Sequence, residues 1–156
     1  MPCRPAGAVL LIMTSLYLAV PRIAASAGGP EGVWLIDSKV AVQIFDCRGQ
    51  LCGRVVWLRK PRDRAGSPVR DLKNPDPALR ERLVCGLTVF WAMQPSGQNE
   101  WKNGWFYNPD DGKTYSISAN LQSSDVIVAR IYLGTPLFGA TKTLLRVPRL
   151  TSDGWC

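Results

Sequence analysis

The chain has 156 residues, no histidine and a formal net charge of +7. The missing histidine excludes Ser–His and Cys–His nucleophilic centres, and the diffuse basicity favours anionic surfaces such as lipid headgroups or cell-wall polymers without arguing for nucleic acid. The length is that of one domain able to bury its own core.

The first 27 residues read as a secretory signal. Arg4 gives a positive start, Ala8–Val20 is an apolar run, and Ala25-Ser26-Ala27 supplies small residues for cleavage. Pro21-Arg22 cuts the run short of the roughly 20 apolar residues a spanning helix needs, and Cys3 precedes the run, so it is not a lipoprotein cysteine. Cleavage near Ala27 leaves 28–156 as a single periplasmic or secreted domain with no transmembrane segment. Losing Arg4 and Arg22 takes its charge from +7 to +5. Four cysteines remain in this part, an even number suited to disulfides in an oxidising compartment. Cys47 and Cys52 enclose only Arg48–Leu51, which sets them opposite each other across a hairpin with a four-residue loop. Cys85 and Cys156 are the pair left over, a pairing that depends on where the C-terminus lies. No metal site or cofactor is indicated, since Cys47-x4-Cys52 has no second close pair.

Turn residues then divide the chain into eight strand candidates: 32–36, 40–45, 51–58, 87–93, 101–107, 113–122, 126–133 and 138–147. Asp37-Ser38, Pro95-Ser96-Gly97, Asn108–Gly112, Ser123–Asp125 and Gly134-Thr135-Pro136 separate them. The hairpin around Asn108-Pro109-Asp110-Asp111-Gly112 is the clearest, with Pro109 pre-set for a type I turn and Gly112 for a left-handed closing residue. Beyond it Tyr115, Ile117, Ala119 and Leu121 alternate with polar residues, the period of a half-buried strand. Short spacing and hairpin turns predict an all-β antiparallel meander, closed by eight strands into a barrel, with a β-sandwich as the alternative. One segment, 59–86, breaks the rhythm with eight basic residues and several prolines. Within it Asn74-Pro75-Asp76-Pro77 reads as a cap and first turn for a short helix through Arg82, placed to plug a barrel mouth. Loops of this length are functional or mobile.

In a closed barrel the first and last strands are neighbours, so Trp34 and Arg146 are placed to stack. Gly32-x-Trp34 and this arginine resemble the calycin barrels, lipocalins among them. A wider set resembles a bacterial exported family, domain of unknown function 2147: Gly32-Val33-Trp34, Cys47 with Cys52-Gly53-Arg54, Val56-Trp57-Leu58, Asp71–Asp76, Arg80, Gly86-Leu87, Trp101–Gly104, Tyr107–Tyr115 and Arg146-Val147. The resemblance implies an exported β protein with no established activity, and Cys85 and Cys156 depart from its usual pattern.

Asp71, Asp76, Asp110 and Asp111 are the carboxylates available for glycoside hydrolysis, yet each sits in turn chemistry that explains it without catalysis. Trp57, Trp91, Trp101 and Trp105 either line a pocket or fill the core, and the core is the commoner use of large aromatics. The basic residues of the insert are interspersed with acids, as on a solvated face. Arg54, Trp57, Asp71, Asn74, Arg80, Trp105, Tyr107 and Tyr115 are the candidate binding residues; Trp34, Arg146 and Gly112 are structural. The expectation is a non-enzymatic barrel binding a small apolar, amphipathic or anionic ligand, or an envelope component, at the mouth near the insert. An interaction module with a solid interior is the alternative, and a carboxylate hydrolase comes third.

Overall fold

The computed structural model describes residues 28–148 and 156; the expected signal, 1–27, lies outside them. Eight strands form a closed antiparallel barrel in simple meander order: β1 (Gly32–Ile36), β2 (Val40–Asp46), β3 (Leu51–Leu58), β4 (Thr88–Gly97), β5 (Glu100–Asn108), β6 (Lys113–Ser123), β7 (Val126–Tyr132) and β8 (Gly139–Arg146). β8 closes on β1 through Trp34↔Arg146, Leu35↔Leu145 and Ile36↔Leu144. The alternating pattern becomes the inside and outside of the barrel. Facing columns such as Ile117↔Ile131, Ala119↔Ala129 and Leu121↔Ile127 point inward, while Ser118↔Arg130 and Asn120↔Val128 point out. One buried cluster, including Trp34, Val42, Ile44, Val55, Phe90, Met93, Ile117, Leu121, Ile127 and Leu144, fills the interior. Each such aliphatic side chain contributes about 1.5–3 kcal/mol through removal from water.

Two turns have positive φ at both central residues, Asp37-Ser38 (48° and 52°) and Arg48-Gly49 (64° and 79°), the geometry whose twist suits a two-residue hairpin. The second corrects the expected four-residue loop. Cys47 N donates to Gln50 O at 2.8 Å and Cys52 stands opposite Phe45, so the Cys47–Cys52 disulfide crosses diagonally, with Cα atoms 5.9 Å apart. Cys85 and Cys156 form the second bridge, Cα atoms 5.3 Å apart, and Cys156 N donates to Val56 O of β3.

Three other expectations are corrected. β4 runs through Pro95 to Gly97, and its turn lies at Gln98-Asn99. The last β3 partner is Leu51↔Met93, so Pro95 overhangs β3 and its missing N–H leaves no gap in the ladder. Leu133 and Phe138 fall outside β7 and β8, in the exposed connection between them. The helix of the insert shortens to a single 3₁₀ turn, Pro77–Leu79, capped by the Asp76 side chain on Ala78 N and with no buried residue. The backbone beyond it is committed elsewhere: Asp71 N donates to Arg82 O, and Val84 N to Val69 O. The insert therefore joins the core through Val84, with Val69 against it, and not through a helix.

Candidate functional site

The meander places the β1–β2, β3–β4, β5–β6 and β7–β8 connections at one end of the barrel and the chain entry at the other. At the entry end, the Arg146 guanidinium lies 4.2 Å from the Trp34 ring centroid. It donates to the carbonyls of Ser124, Glu31 and Gly29, while Trp34 Nε1 donates to Pro30 O at 2.8 Å. The segment 29–31 is thus tied across this end, which is closed. Gly32 at φ 130° fits the motif for the same reason: a Cβ there would come within 2.6 Å of Arg146 Nη1.

The opposite end carries the 59–86 insert, docked on the β5–β6 hairpin by a buried polar cluster. Asp71 is fully buried. Its Oδ1 accepts from the Tyr107 hydroxyl at 2.6 Å, and its Oδ2 accepts from Asn74 Nδ2 at 2.8 Å, Arg82 Nε at 2.8 Å and Arg82 Nη2 at 2.7 Å. Asn74 Nδ2 also donates to the Tyr107 hydroxyl, Arg80 Nε donates to Asn74 O, and Arg82 stacks on the Tyr107 ring at 5.4 Å. Burial alone pushes the Asp71 carboxyl up. The hydrogen bonds from Tyr107, Asn74 and Arg82, with the charge of Arg82, outweigh it and hold the group below the usual carboxylate range. Burial, then the bond to Asp71, pushes the Tyr107 hydroxyl up. Lys73 completes the dock, its Nζ donating to Asp110 O at 2.6 Å.

Of the candidate binding residues, the fold therefore brings Asp71, Asn74, Arg80 and Tyr107 together. Arg82, expected only as a basic residue at the end of the short helix, belongs with them. The others lie apart. Arg54 stands on the outer wall, bonded to Gln43 Oε1 and 5.7 Å from the Phe45 ring. Trp57 is buried opposite Ala41, outside the interior cluster. Trp105 pairs with Trp91 on the outer wall and is 48% exposed. The Tyr115 hydroxyl donates to Asp111 Oδ2 at 2.6 Å, which pushes its pKa up. Of the four tryptophans, Trp57 is buried and Trp101 packs against the core, while Trp91 and Trp105 pair on the outer wall, so the four do not come together in one place. Asp76 caps the 3₁₀ turn and Asp111 accepts from Lys113 N, as turn chemistry predicts.

At the insert end, Ile36, Val40, Leu58, Phe106 and Ile131, near the ends of their strands and only partly buried, pack on the core. Two hollows lie outside the barrel. One, of about 270 Å³, is on the outer wall at Glu100, Asn120 and Arg130; the other, of about 420 Å³, lies between Arg62, Val69, Leu83 and Cys156.

Residues 32–146 match the model of a family described as "Uncharacterized protein conserved in bacteria (DUF2147)". The chain belongs to the DUF2147 family. Among solved structures, this DUF2147 chain is similar to protein HP1028 from the human pathogen Helicobacter pylori, described as belonging to the lipocalin family. The two are 26% identical with a TM-score of 0.64, over 75% of this chain and 82% of that one. The meander barrel and the closed Trp34–Arg146 end agree with that likeness. No curated protein matches the chain significantly.

Proposed function

We propose that this is an exported, non-enzymatic barrel that binds the apolar part of an amphipathic envelope molecule shallowly, at its insert end. The observation that carries the reading is the asymmetry of the two ends. One is closed by Arg146, Trp34 and 29–31; the other carries half-buried aliphatic and aromatic side chains packed on a filled core. A ligand held there reaches only the upper part of the barrel, since the lower part has no room for it. Two disulfides in a bacterial family support an oxidising compartment, periplasmic or secreted. Likeness to a lipocalin-family protein supports binding over catalysis.

The test is titration of delipidated mature protein with a fluorescent fatty acid. Saturable binding is expected, weakened about ten-fold by Ile131→Gln, which puts a polar amide among these apolar side chains. The second reading rests on the filled interior: a module that works through its outer surface. Absence of saturable binding would favour it and reject the first.

A further inference from the structure

The β7–β8 connection, Leu133-Gly134-Thr135-Pro136-Leu137-Phe138, contains no charged residue. Its three large apolar side chains face water: Leu133 is 58%, Leu137 83% and Phe138 80% exposed. Such exposure in a row is unusual on a soluble surface and marks contact with something apolar. The loop is held, not slack. Arg130 Nε donates to Pro136 O at 2.8 Å, Nη2 to Leu137 O at 3.2 Å and Nη1 to Thr141 Oγ1 at 2.9 Å. Phe138 N closes the turn on Thr135 O. One guanidinium thus fixes the backbone that holds Leu137 and Phe138 out.

The rim is basic on its β1–β2 side, while the β5–β6 hairpin on the other side carries exposed Asp110 and Asp111 beside Lys113. Next to the loop stands the β1–β2 turn, joined to β8 by the Lys142–Asp37 ion pair and to the insert by Arg59 N donating to Lys39 O at 2.8 Å. The insert carries eight basic residues against four acidic ones, a net of +4. Several of these charges are spent internally, Arg82 on Asp71 and Arg70 on Glu81. Lys39, Arg59, Lys60 and Arg64 are exposed and make no ion pair among the described residues.

We propose that this rim docks on the surface of an anionic lipid bilayer, with Leu133, Leu137 and Phe138 entering the interface and Lys39, Arg59, Lys60 and Arg64 meeting the headgroups. Apolar side chains beside unpaired cations are the two signals that together give reversible membrane attachment. The barrel wall does not take part. Its outward residues include Gln43, Arg54, Ser118, Asn120 and Thr141, the reverse of the apolar band of a spanning barrel. The proposal stands apart from ligand binding within the mouth.

Full-length mature protein is sedimented with vesicles of phosphatidylcholine, with and without phosphatidylglycerol, and its oligomeric state is followed by sedimentation equilibrium. The expected result is binding to the anionic vesicles that falls with salt. It drops about ten-fold or more in Leu137→Ser/Phe138→Ser, and its salt dependence flattens in Arg59→Gln/Lys60→Gln. All variants should keep the wild-type melting temperature within a few degrees, because these side chains are exposed. Trp105→Ser, an exposed aromatic on the wall, should bind as wild type. The idea is overturned if wild type ignores anionic vesicles or if the loop variant binds them equally well. It is also overturned if wild type is a dimer that the loop variant dissociates, since the loop would then be covered by a second copy.

Discussion

Asp71 is the residue on which the insert depends. Replacing it by alanine leaves the Tyr107 hydroxyl, the Asn74 amide and the part-exposed Arg82 guanidinium without their common acceptor, a loss of about 2–3 kcal/mol. The same group contributes to the acid limb of stability, together with Asp111, whose pKa is also depressed. The folded pKa of Asp71 is depressed, so the unfolded chain binds the extra proton. The contribution is therefore present above the unfolded carboxylate pKa, about 4, and is lost as pH falls through the folded value. Tyr107 acts in the other direction. Its pKa is raised in the fold, so its contribution is present below the unfolded value, about 10, and declines as pH rises past it. Urea midpoints against pH should show a plateau between these limits, and Asp71→Asn should flatten the acid limb. Gly112 is the second such residue. Its φ is 71°, and a Cβ there would come within 1.9 Å of Lys73 O, so Gly112→Ala should cost about 2–4 kcal/mol by urea denaturation, through left-handed strain and overpacking together. The left-handed turn was legible in the sequence; the packing was not. Asp71 likewise read as a turn residue, because its burial comes from a strand 36 residues away.

At the scale of elements, period-2 alternation and turn residues located all eight strands, and the errors fall where tertiary contacts decide. Pro95 looked like a breaker because the overhang of β4 past Leu51 is invisible in a linear sequence. The helix expected after Asn74 gave way because Arg82 O and Val84 N are drawn into pairing with Asp71 N and Val69 O. The place of Ile36, Val40, Leu58, Phe106 and Ile131 was not legible either, as they read as ordinary strand residues until closure fixes which end of the barrel they occupy. The two disulfides differ in what they constrain. Cys47–Cys52 spans five positions and Cys85–Cys156 spans 71, so the chain-entropy model gives about 2 kcal/mol for the first and about 4 for the second. Paired Cys→Ser replacements should lower the urea midpoint in that order. The short bridge should leave the slope unchanged, because register there is also held by the Arg48-Gly49 turn.

For the whole molecule, the decisive step is closure. β1 and β8 meet in three register pairs, as few as β3 and β4 and fewer than the seven of β7 and β8, so the seam is a thin part of the wall and gains from a separate fastening. Arg146 supplies it. Its planar guanidinium stacks on Trp34 and reaches three carbonyls, two in the segment before β1 and one, Ser124, in the β6–β7 turn. Lysine keeps the charge but has neither the planar face nor the fork of donors, so it can satisfy only part of this set. Arg146→Lys should therefore cost about 2–3 kcal/mol, from weakened stacking and unmatched carbonyls together. The loss should be local. Hydrogen exchange in the variant should accelerate first at the β1 and β8 amides that bridge the seam, with the β4–β5 and β5–β6 ladders protected as in wild type. Uniform acceleration across all eight strands would mean instead that the barrel opens as one unit, and that Arg146 stabilises the whole wall and not its seam.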